Sequence, residues 1–381
     1  MTTLFFFGSL RDPALLEIVL DRIVEPRELV EARAQGYQAL ALDHEAYPYL
    51  ATRPSAKAEG VVITRLSRED IARLEYFEEA EYGLAPIHVE TDAGPVEAHY
   101  FRAADKLGDK TRDLPWDFAA WQRNDRAVAL EAASELMGHF GIVAVEDVDK
   151  IWQGIMMRAR MRVRAKTKMP VMGHLRRDRG PQDIDHKGIT RPYTRYFAVE
   201  EHRLHHRRFD GSWSPEILRT AVTSGDAVTV LPYDPVRDCV LLIEQFRAPM
   251  LARGDICPWG IEVIAGRLDQ ESCAQTCARR EAMEEAGLEL GRMEQAAAYY
   301  STPGFASEHL TSFVGEAVLT RSEGVFGLAS EDEDIRAFSV TLDAALDGVT
   351  TGEINNGPAI LSLLWLQANR ERLVREWATG A

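Results

Sequence analysis

The sequence predicts two domains, an α+β unit in the N-terminal half followed by an α/β/α sandwich. Three observations carry this. A chain of 381 residues has room for about two domains of roughly 100–200 residues each. Strand-like and helix-like runs alternate irregularly in the first half, whereas in the second half strands flank one central helix and a helix closes the chain. Between the halves, residues 156–179, MMRARMRVRAKTKMPVMGHLRRDR, are strongly basic inside an acidic protein.

In the first half, residues 4–7 read as a short apolar strand. Asp12-Pro13 supplies an N-cap and a first-turn proline for a helix through Asp21. Residues 60–65 read as a strand, and Ser67 caps a helix running to about Glu78. Residues 90–101 suggest a hairpin turning at Ala93-Gly94, and 116–140 carry apolar residues at helical spacing. The basic stretch is punctuated by Pro170, Gly173, Gly180 and Pro181, which predicts a connection at 146–185 between domains at 1–145 and 186–381. A charged segment lying against an acidic neighbour accounts for it more simply than a nucleic-acid arm.

The second half opens with strands at 193–199, 203–209, 227–233 and 239–245. A helix follows at 272–286, then strands near 296–301 and 311–318, and helices at 342–346 and 358–377.

Composition narrows the function. Hydrophobic residues make up 46% and charged residues 27%, the balance of a globular protein. The 60 acidic and 44 basic side chains leave a net charge of −16, which repels nucleic-acid backbones and anionic membranes. Small anionic substrates remain open where metal ions or arginines neutralise them. No apolar run approaches the roughly 20 residues needed to span a bilayer. The start, MTTLFFFGSLRD, lacks the basic flank of a signal peptide. Cys239, Cys257, Cys273 and Cys277 form no dense framework and read as reduced thiols of a cytoplasmic protein. Cys273 and Cys277 share a helix face, but no second pair completes a zinc site.

The chemistry concentrates in residues 265–288, AGRLDQESCAQTCARREAMEEAGL. Gly266 turns the chain into a helix that carries Arg280, Glu281, Glu284 and Glu285 in about one turn. Residues three and four apart share a face, so the carboxylates crowd together and repel. A divalent cation with oxygen ligands would relieve that repulsion. A solvated acidic face is the plainer alternative.

The spacing resembles the Nudix box, GX5EX7REUXEEXGU, with U bulky and aliphatic. Gly266, Arg280, Glu281, Met283, Glu284, Glu285, Gly287 and Leu288 fit it. Ser272 stands where the box has its first glutamate, with Glu271 just before it. The resemblance extends over about 193–373. Residues 231–247 (LPYDPVRDCVLLIEQFR), Pro258-Trp259, Glu262, 301–308 (STPGFASE) and 327–335 (GLASEDEDI) are similar to the ADP-ribose pyrophosphatase branch. The resemblance implies a Nudix sandwich with an antiparallel strand extension, and hydrolysis of ADP-ribose to AMP and ribose 5-phosphate with Mg²⁺, or Mn²⁺ in its place. It implies metal ligands at the Ala265 carbonyl, Glu281, Glu285 and Glu333. It gives Glu284 an outer or additional metal role, makes Arg280 the orienting partner of the glutamates, and makes Glu331 the base. Phe197 and Arg219 would sandwich adenine across a homodimer whose N-terminal strands exchange. Arg247 suits a diphosphate oxygen, Glu262 would accept from adenine or ribose, and Glu308 would line the site.

Phe7-Gly8-Ser9-Leu10 resembles the substrate loop of the gamma-glutamylcyclotransferase-like (AIG2-like) fold, a mixed barrel. That likeness covers about 3–141. It implies that backbone N–H groups of Gly8, Ser9 and Leu10 hold a carboxylate, that Glu78 in LEYFEEAEY is the acid/base and that Tyr82 is the following tyrosine. Phe7 replaces the usual tyrosine of this loop. A cyclotransferase releasing 5-oxoproline, with the second half accessory or an ADP-ribose sensor, is the competing function. The intact glutamate cluster speaks against a mere sensor.

Overall fold

The computed structural model describes residues 2–43, 45–78, 82–103, 108, 111–167, 175, 177–268, 273–320, 324–328 and 332–377. The chain forms two compact units, one of Met1–Arg176 with Thr194–Tyr196 and one of Arg177–Tyr193 with Phe197–Ala381. No helix among the described residues is long and apolar enough to cross a membrane.

The first unit is a closed barrel with helices on its outside. Strands β1 (Thr2–Phe6), β2 (Leu29–Leu42), β3 (Pro48–Leu66), β4 (Tyr82–Thr91) and β5 (Gly94–Ala103) pair in the order β3-β1-β5-β4-β2, and β2 returns to β3. Strand β6 (Thr111–Pro115) adds to β2. Alternation divides the apolar side chains between two cores. Phe5, Val62, Ile87 and Tyr100 fill the barrel, while Leu4, Phe6 and Ile63 face the helices.

Those helices are α1 (Pro13–Leu20), α2 (Arg68–Glu78), α3 (Phe118–Asn124), α4 (Arg126–Met137) and α5 (Asp149–Thr167). Asp12 caps α1 by accepting from the amides of Ala14 and Leu15. Ser67 Oγ accepts from the Asp70 amide, and the Asp70 carboxylate accepts from the Ser67 amide. The single helix expected over 116–140 is two, because Asp117 and Asp125 each start one. The Asp125 amide ends α3 on the Trp121 carbonyl, and Asp125 leads into α4 at φ −115°, ψ −23°.

Much of the segment expected as a connection, 146–185, is α5. Ile151, Ile155 and Ala159 lie in the core of the first unit. Arg158 is fully buried and donates Nε and Nη2 to Glu135 Oε1 at 2.8 and 2.6 Å, while Arg162 Nη1 reaches Glu135 Oε2 at 2.5 Å. Lys166 pairs with Glu131. Three cations of the basic run are thus counter-charge for the two glutamates of α4.

In the second unit, β7 (Ile184–Thr194), β8 (Ala198–His206) and β9 (Ile217–Thr223) form a three-stranded sheet. The strand expected at 193–199 instead straddles the bend between β7 and β8, and the one expected at 203–209 is the far end of β8. The main sheet holds β10 (Ala227–Asp234), β11 (Cys239–Phe246), β12 (Trp259–Glu262), β13 (Ile264–Arg267), β14 (Met293–Tyr300), β15 (His309–Glu316), β16 (Gly324–Phe326) and β17 (Ile335–Thr341). Its order is β14-β15-β10-β11-β17-β16, with β10 and β15 parallel.

β10 and β11 pair only at Tyr233↔Val240 and Asp234↔Cys239. Beyond that they part, so β13 takes the freed edge of β10 and β12 that of β11. Helix α6 (Ala248–Arg253) links β11 to β12, and α7 (Ala274–Ala286) follows β13. Val228, Val230, Leu241 and Ile243 face α7, while Leu231, Tyr233, Val240 and Leu242 face α8 (Leu342–Thr351) and α9 (Gly357–Trp377). The Asp234 side chain closes the β10–β11 turn by accepting from the amides of Val236, Arg237 and Leu319.

Removing one partner from a buried ion pair strands the other charge. Glu135→Ala is therefore expected to cost about 3–5 kcal/mol, and Glu135→Leu with Arg158→Met to recover most of it. Urea unfolding followed by tryptophan fluorescence checks this. A loss under about 1 kcal/mol for Glu135→Ala, the size of an ordinary hydrogen bond, would reject the role given to the pair.

Candidate active site

The site is built on α7 and on β13, the strand before it; Gly266, expected to turn the chain into the helix, instead pairs with Val228 inside β13. Cys277, Ala278, Ala282 and Ala286 are small and buried, which lets α7 lie close to the sheet. Its end is fixed by Gly287, whose φ of 61° is left-handed. The Gly287 amide donates to the Met283 carbonyl and the Leu288 amide to the Ala282 carbonyl, both at 3.0 Å. This is the reciprocal C-terminal pair that a glycine permits.

The helix aims its carboxylates at β13. Glu285 is 3% exposed, and its Oε2 accepts from the Ala265 amide at 3.2 Å. Glu281 occupies the space a side chain at 266 would take: a Cβ on Gly266 would lie 1.8 Å from Glu281 Oε1. The glycine is required here by close approach. Arg280 bridges Glu281 at 2.8 Å and Glu284 at 2.6 Å.

Burial, the largest influence, pushes the Glu281 carboxyl up to about 7; Glu284 and Glu333 raise it further, against the pull of Arg280. Burial likewise pushes Glu285 up to about 8, with Glu281 and Glu333 adding repulsion and the Ala265 amide and Arg247 opposing it. Glu333 Oε2 accepts from the Leu328 amide at 3.1 Å.

Among the described residues, no three acidic, cysteine or histidine side chains already surround a single ion position. Glu281 is engaged by Arg280 and Glu333 by Leu328. The donor set nonetheless fits a hard divalent cation. Its side-chain donors are carboxylate oxygens, Glu285 buried and Glu281 and Glu333 half-buried, and burial, with mutual repulsion added, raises Glu281 and Glu285 toward neutrality. A bound dication reverses that penalty.

A second group flanks the first. Arg247 donates Nε and Nη2 to the two oxygens of Glu262 at 3.0 and 2.7 Å, a bidentate pair with Glu262 5% exposed. Glu308 accepts from Ser301 Oγ at 3.0 Å and lies 3.7 Å from Arg267 Nη1. Arg267 was not anticipated; its position directly after the box glycine was the available signal. The loop before Glu308 is fastened to β9, the Val222 amide donating to the Phe305 carbonyl and the Ser307 amide to the Val222 carbonyl.

Other expected residues stand apart. Phe197 is 38% exposed at the start of β8 and packs on Tyr193 at 5.5 Å between centroids. Arg219 pairs in register with His202, whereas Ala198, next to Phe197, pairs with Thr223. At about 3.4 Å per residue, the two do not meet within one chain. Glu331 and Ser272 lie outside the described residues.

In the first unit, Gly8 precedes a 3-10 turn, Ser9–Arg11, closed by the Arg11 amide on the Gly8 carbonyl. Leu10 is buried in the core and Gly8 lies against the Pro48 ring. Glu78 ends α2 half-buried.

The second unit thus sets a helix carrying glutamates behind the gap of a divided sheet. Comparison with known proteins assigns it to a family. The NUDIX domain model matches residues 223–359, and the model of Gamma-glutamyl cyclotransferase, AIG2-like, matches residues 4–122. The chain is 37% identical over 199 residues to the ADP-ribose pyrophosphatase of Escherichia coli (strain K12), covering 52% of this chain and 95% of that protein. It is 33% identical over 198 residues to the ADP-ribose pyrophosphatase of Haemophilus influenzae (51% and 91% covered). It is 33% identical over 177 residues to the GDP-mannose pyrophosphatase of Escherichia coli (strain SMS-3-5 / SECEC) (46% and 90% covered). Through its C-terminal half the chain belongs to the Nudix family, and it carries an AIG2-like domain before it.

The raised carboxyls set a pH dependence. A carboxyl whose folded value lies above its unfolded value stabilises at low pH and loses that contribution as pH rises through the folded value. In metal-free protein, the second unit is expected to lose thermal stability between the ordinary carboxylate range and about 8. Mg²⁺ should restore more at the high end of that range than at the low end. A melting temperature independent of pH across this window, with or without Mg²⁺, would contradict the burial of Glu281 and Glu285.

Proposed function

We propose that the second unit hydrolyses the pyrophosphate of ADP-ribose, or of a related nucleoside diphosphate sugar, giving AMP and ribose 5-phosphate. The observation that carries this reading is the pair Glu281 and buried Glu285 set against Ala265 and Gly266 of β13. The names of the relatives at 37% and 33% identity point to the same substrate class.

Glu281, Glu285, Glu333 and the Ala265 carbonyl are the groups that would hold Mg²⁺, or Mn²⁺, which when bound neutralises diphosphate oxygens and favours ionisation of water. The chain's own residues do the rest. Arg280 keeps Glu281 and Glu284 in place through its two ion pairs. Glu331 is the assigned base: it takes the proton as a water oxygen bonds to phosphorus and the P–O bond to the bridging oxygen breaks. Arg247 offers a planar fork to the diphosphate, and its pairing with Glu262 fixes both side chains before substrate arrives. Glu262 accepts from the sugar or base, and Glu308 lines the site. Phe197 and Arg219 stack on the purine from two chains of a homodimer, in keeping with their separation within one chain. Four free cysteines accord with a cytoplasmic setting.

A second reading rests on the AIG2-like match over 4–122. There the Gly8-Ser9-Leu10 turn would hold a carboxylate, and Glu78 would take the proton of the glutamyl α-amine as it attacks its own γ-carbonyl and pass it to the amine that leaves as the γ-amide bond breaks. Release of 5-oxoproline, lost in Glu78→Gln, is its signature.

The test is product analysis with ADP-ribose and Mg²⁺. Wild type is expected to yield AMP and ribose 5-phosphate, and Glu281→Gln with Glu285→Gln to yield neither. Gly266→Ala, which displaces the Glu281 carboxylate, should lower kcat/KM by about 10²-fold, the scale set by misplacing a reacting group by roughly 1 Å. Undiminished cleavage by the double variant would remove the box helix from the mechanism.

A further inference from the structure

Away from the carboxylates, the three-stranded sheet places two imidazoles face to face. His186 on β7 and His202 on the neighbouring β8 bring Nε2 and Nδ1 to 3.1 Å. Behind them, His202 Nε2 lies 3.3 Å from Glu200 Oε2. Glu200 is 3% exposed, and its other oxygen accepts from Arg191 Nε at 2.8 Å.

This chain of contacts fixes the protons. An ionised carboxylate only accepts, so His202 Nε2 carries hydrogen and its Nδ1 is a bare lone pair. His186 Nε2 then donates to it in the ion-free protein. The buried carboxylate holds the His202 ring in one tautomer and orientation, as carboxylates do behind metal-bound histidines. Two nitrogens each about 2.0–2.1 Å from a tetrahedral ion stand roughly 3.3 Å apart, close to the observed gap.

We propose that His186 and His202 form a binding site for a divalent transition-metal ion of the zinc, copper and nickel class, with water completing its coordination on the exposed side of His186. Binding moves the His186 proton from Nε2 to Nδ1 through solvent, with no net proton lost. Imidazole donors select such ions, whereas the carboxylates of α7 suit Mg²⁺ or Mn²⁺, so the two sites take different ions. The site ties β7 to β8.

Untagged full-length protein is titrated with Zn²⁺ against a chromophoric chelator, in excess Mg²⁺ to occupy the α7 carboxylates. The expected result is about one Zn²⁺ per chain, absent in His186→Ala and in His202→Ala. Glu200→Gln should weaken binding by about 10–100-fold. Glu200 is buried and its variant can fail to fold; His186 is exposed, so His186→Ala, checked by circular dichroism, keeps the test decisive. Unchanged stoichiometry and affinity in His186→Ala overturns the site. So does no Zn²⁺ bound by wild type, which leaves the imidazoles sharing a hydrogen bond only.

Discussion

The second unit is organised around a costly placement: two carboxylates on adjacent turns of one helix, pressed against strand β13 with little solvent access. Burial above all, with repulsion from neighbouring carboxylates, drives Glu281 and Glu285 far above the ordinary carboxylate range. The surrounding structure accommodates them. Small side chains at Cys277, Ala278, Ala282 and Ala286 bring α7 close to the sheet. The parting of β10 from β11 makes room for β13, and Gly266 leaves space for the Glu281 carboxylate. A bulkier helix face or a side chain at 266 would push the carboxylates outward, where solvent would quench their need for a cation.

Arginines complete the electrostatics. The chain is acidic overall, at net −16, yet Arg280, Arg247 and Arg267 each stand beside a glutamate of the site. Paired this way, each guanidinium is held at low entropic cost and keeps donors available to an incoming anion. The field is therefore locally balanced, and a diphosphate approaching with its counter-ions meets fixed dipoles instead of net repulsion.

What was legible in the sequence followed from local rules. Helical periodicity placed Arg280, Glu281, Glu284 and Glu285 on one patch, and that patch exists. The caps at Asp12 and Ser67 also act as their residue types dictate. Long-range pairing was not legible. β2 and β3 are long but largely half-exposed, so their alternation is faint, and only barrel closure gives them partners. The β7–β8 bend at 195–197 carries no glycine or proline to announce it. The Arg247–Glu262 fork arises because β12 folds back on β11, which no spacing encodes.

The basic run at 156–179 shows how composition misleads when read without burial. As a sequence it suggests a linker or an arm for an anionic partner. In the structure Arg158 and Arg162 converge on Glu135, and Lys166 meets Glu131. A buried carboxylate needs its countercharge from somewhere in the chain, and a helix that brings two arginines four residues apart supplies it on one face. The same need recurs at α7, where the countercharge is only partly covalent to the chain: Arg280 serves Glu281 and Glu284, while Glu285 has a backbone amide. The first unit meets the buried charge of Glu135 with its own arginines. The second leaves part of its charge unmet, and that deficit is what makes a structural motif into a site.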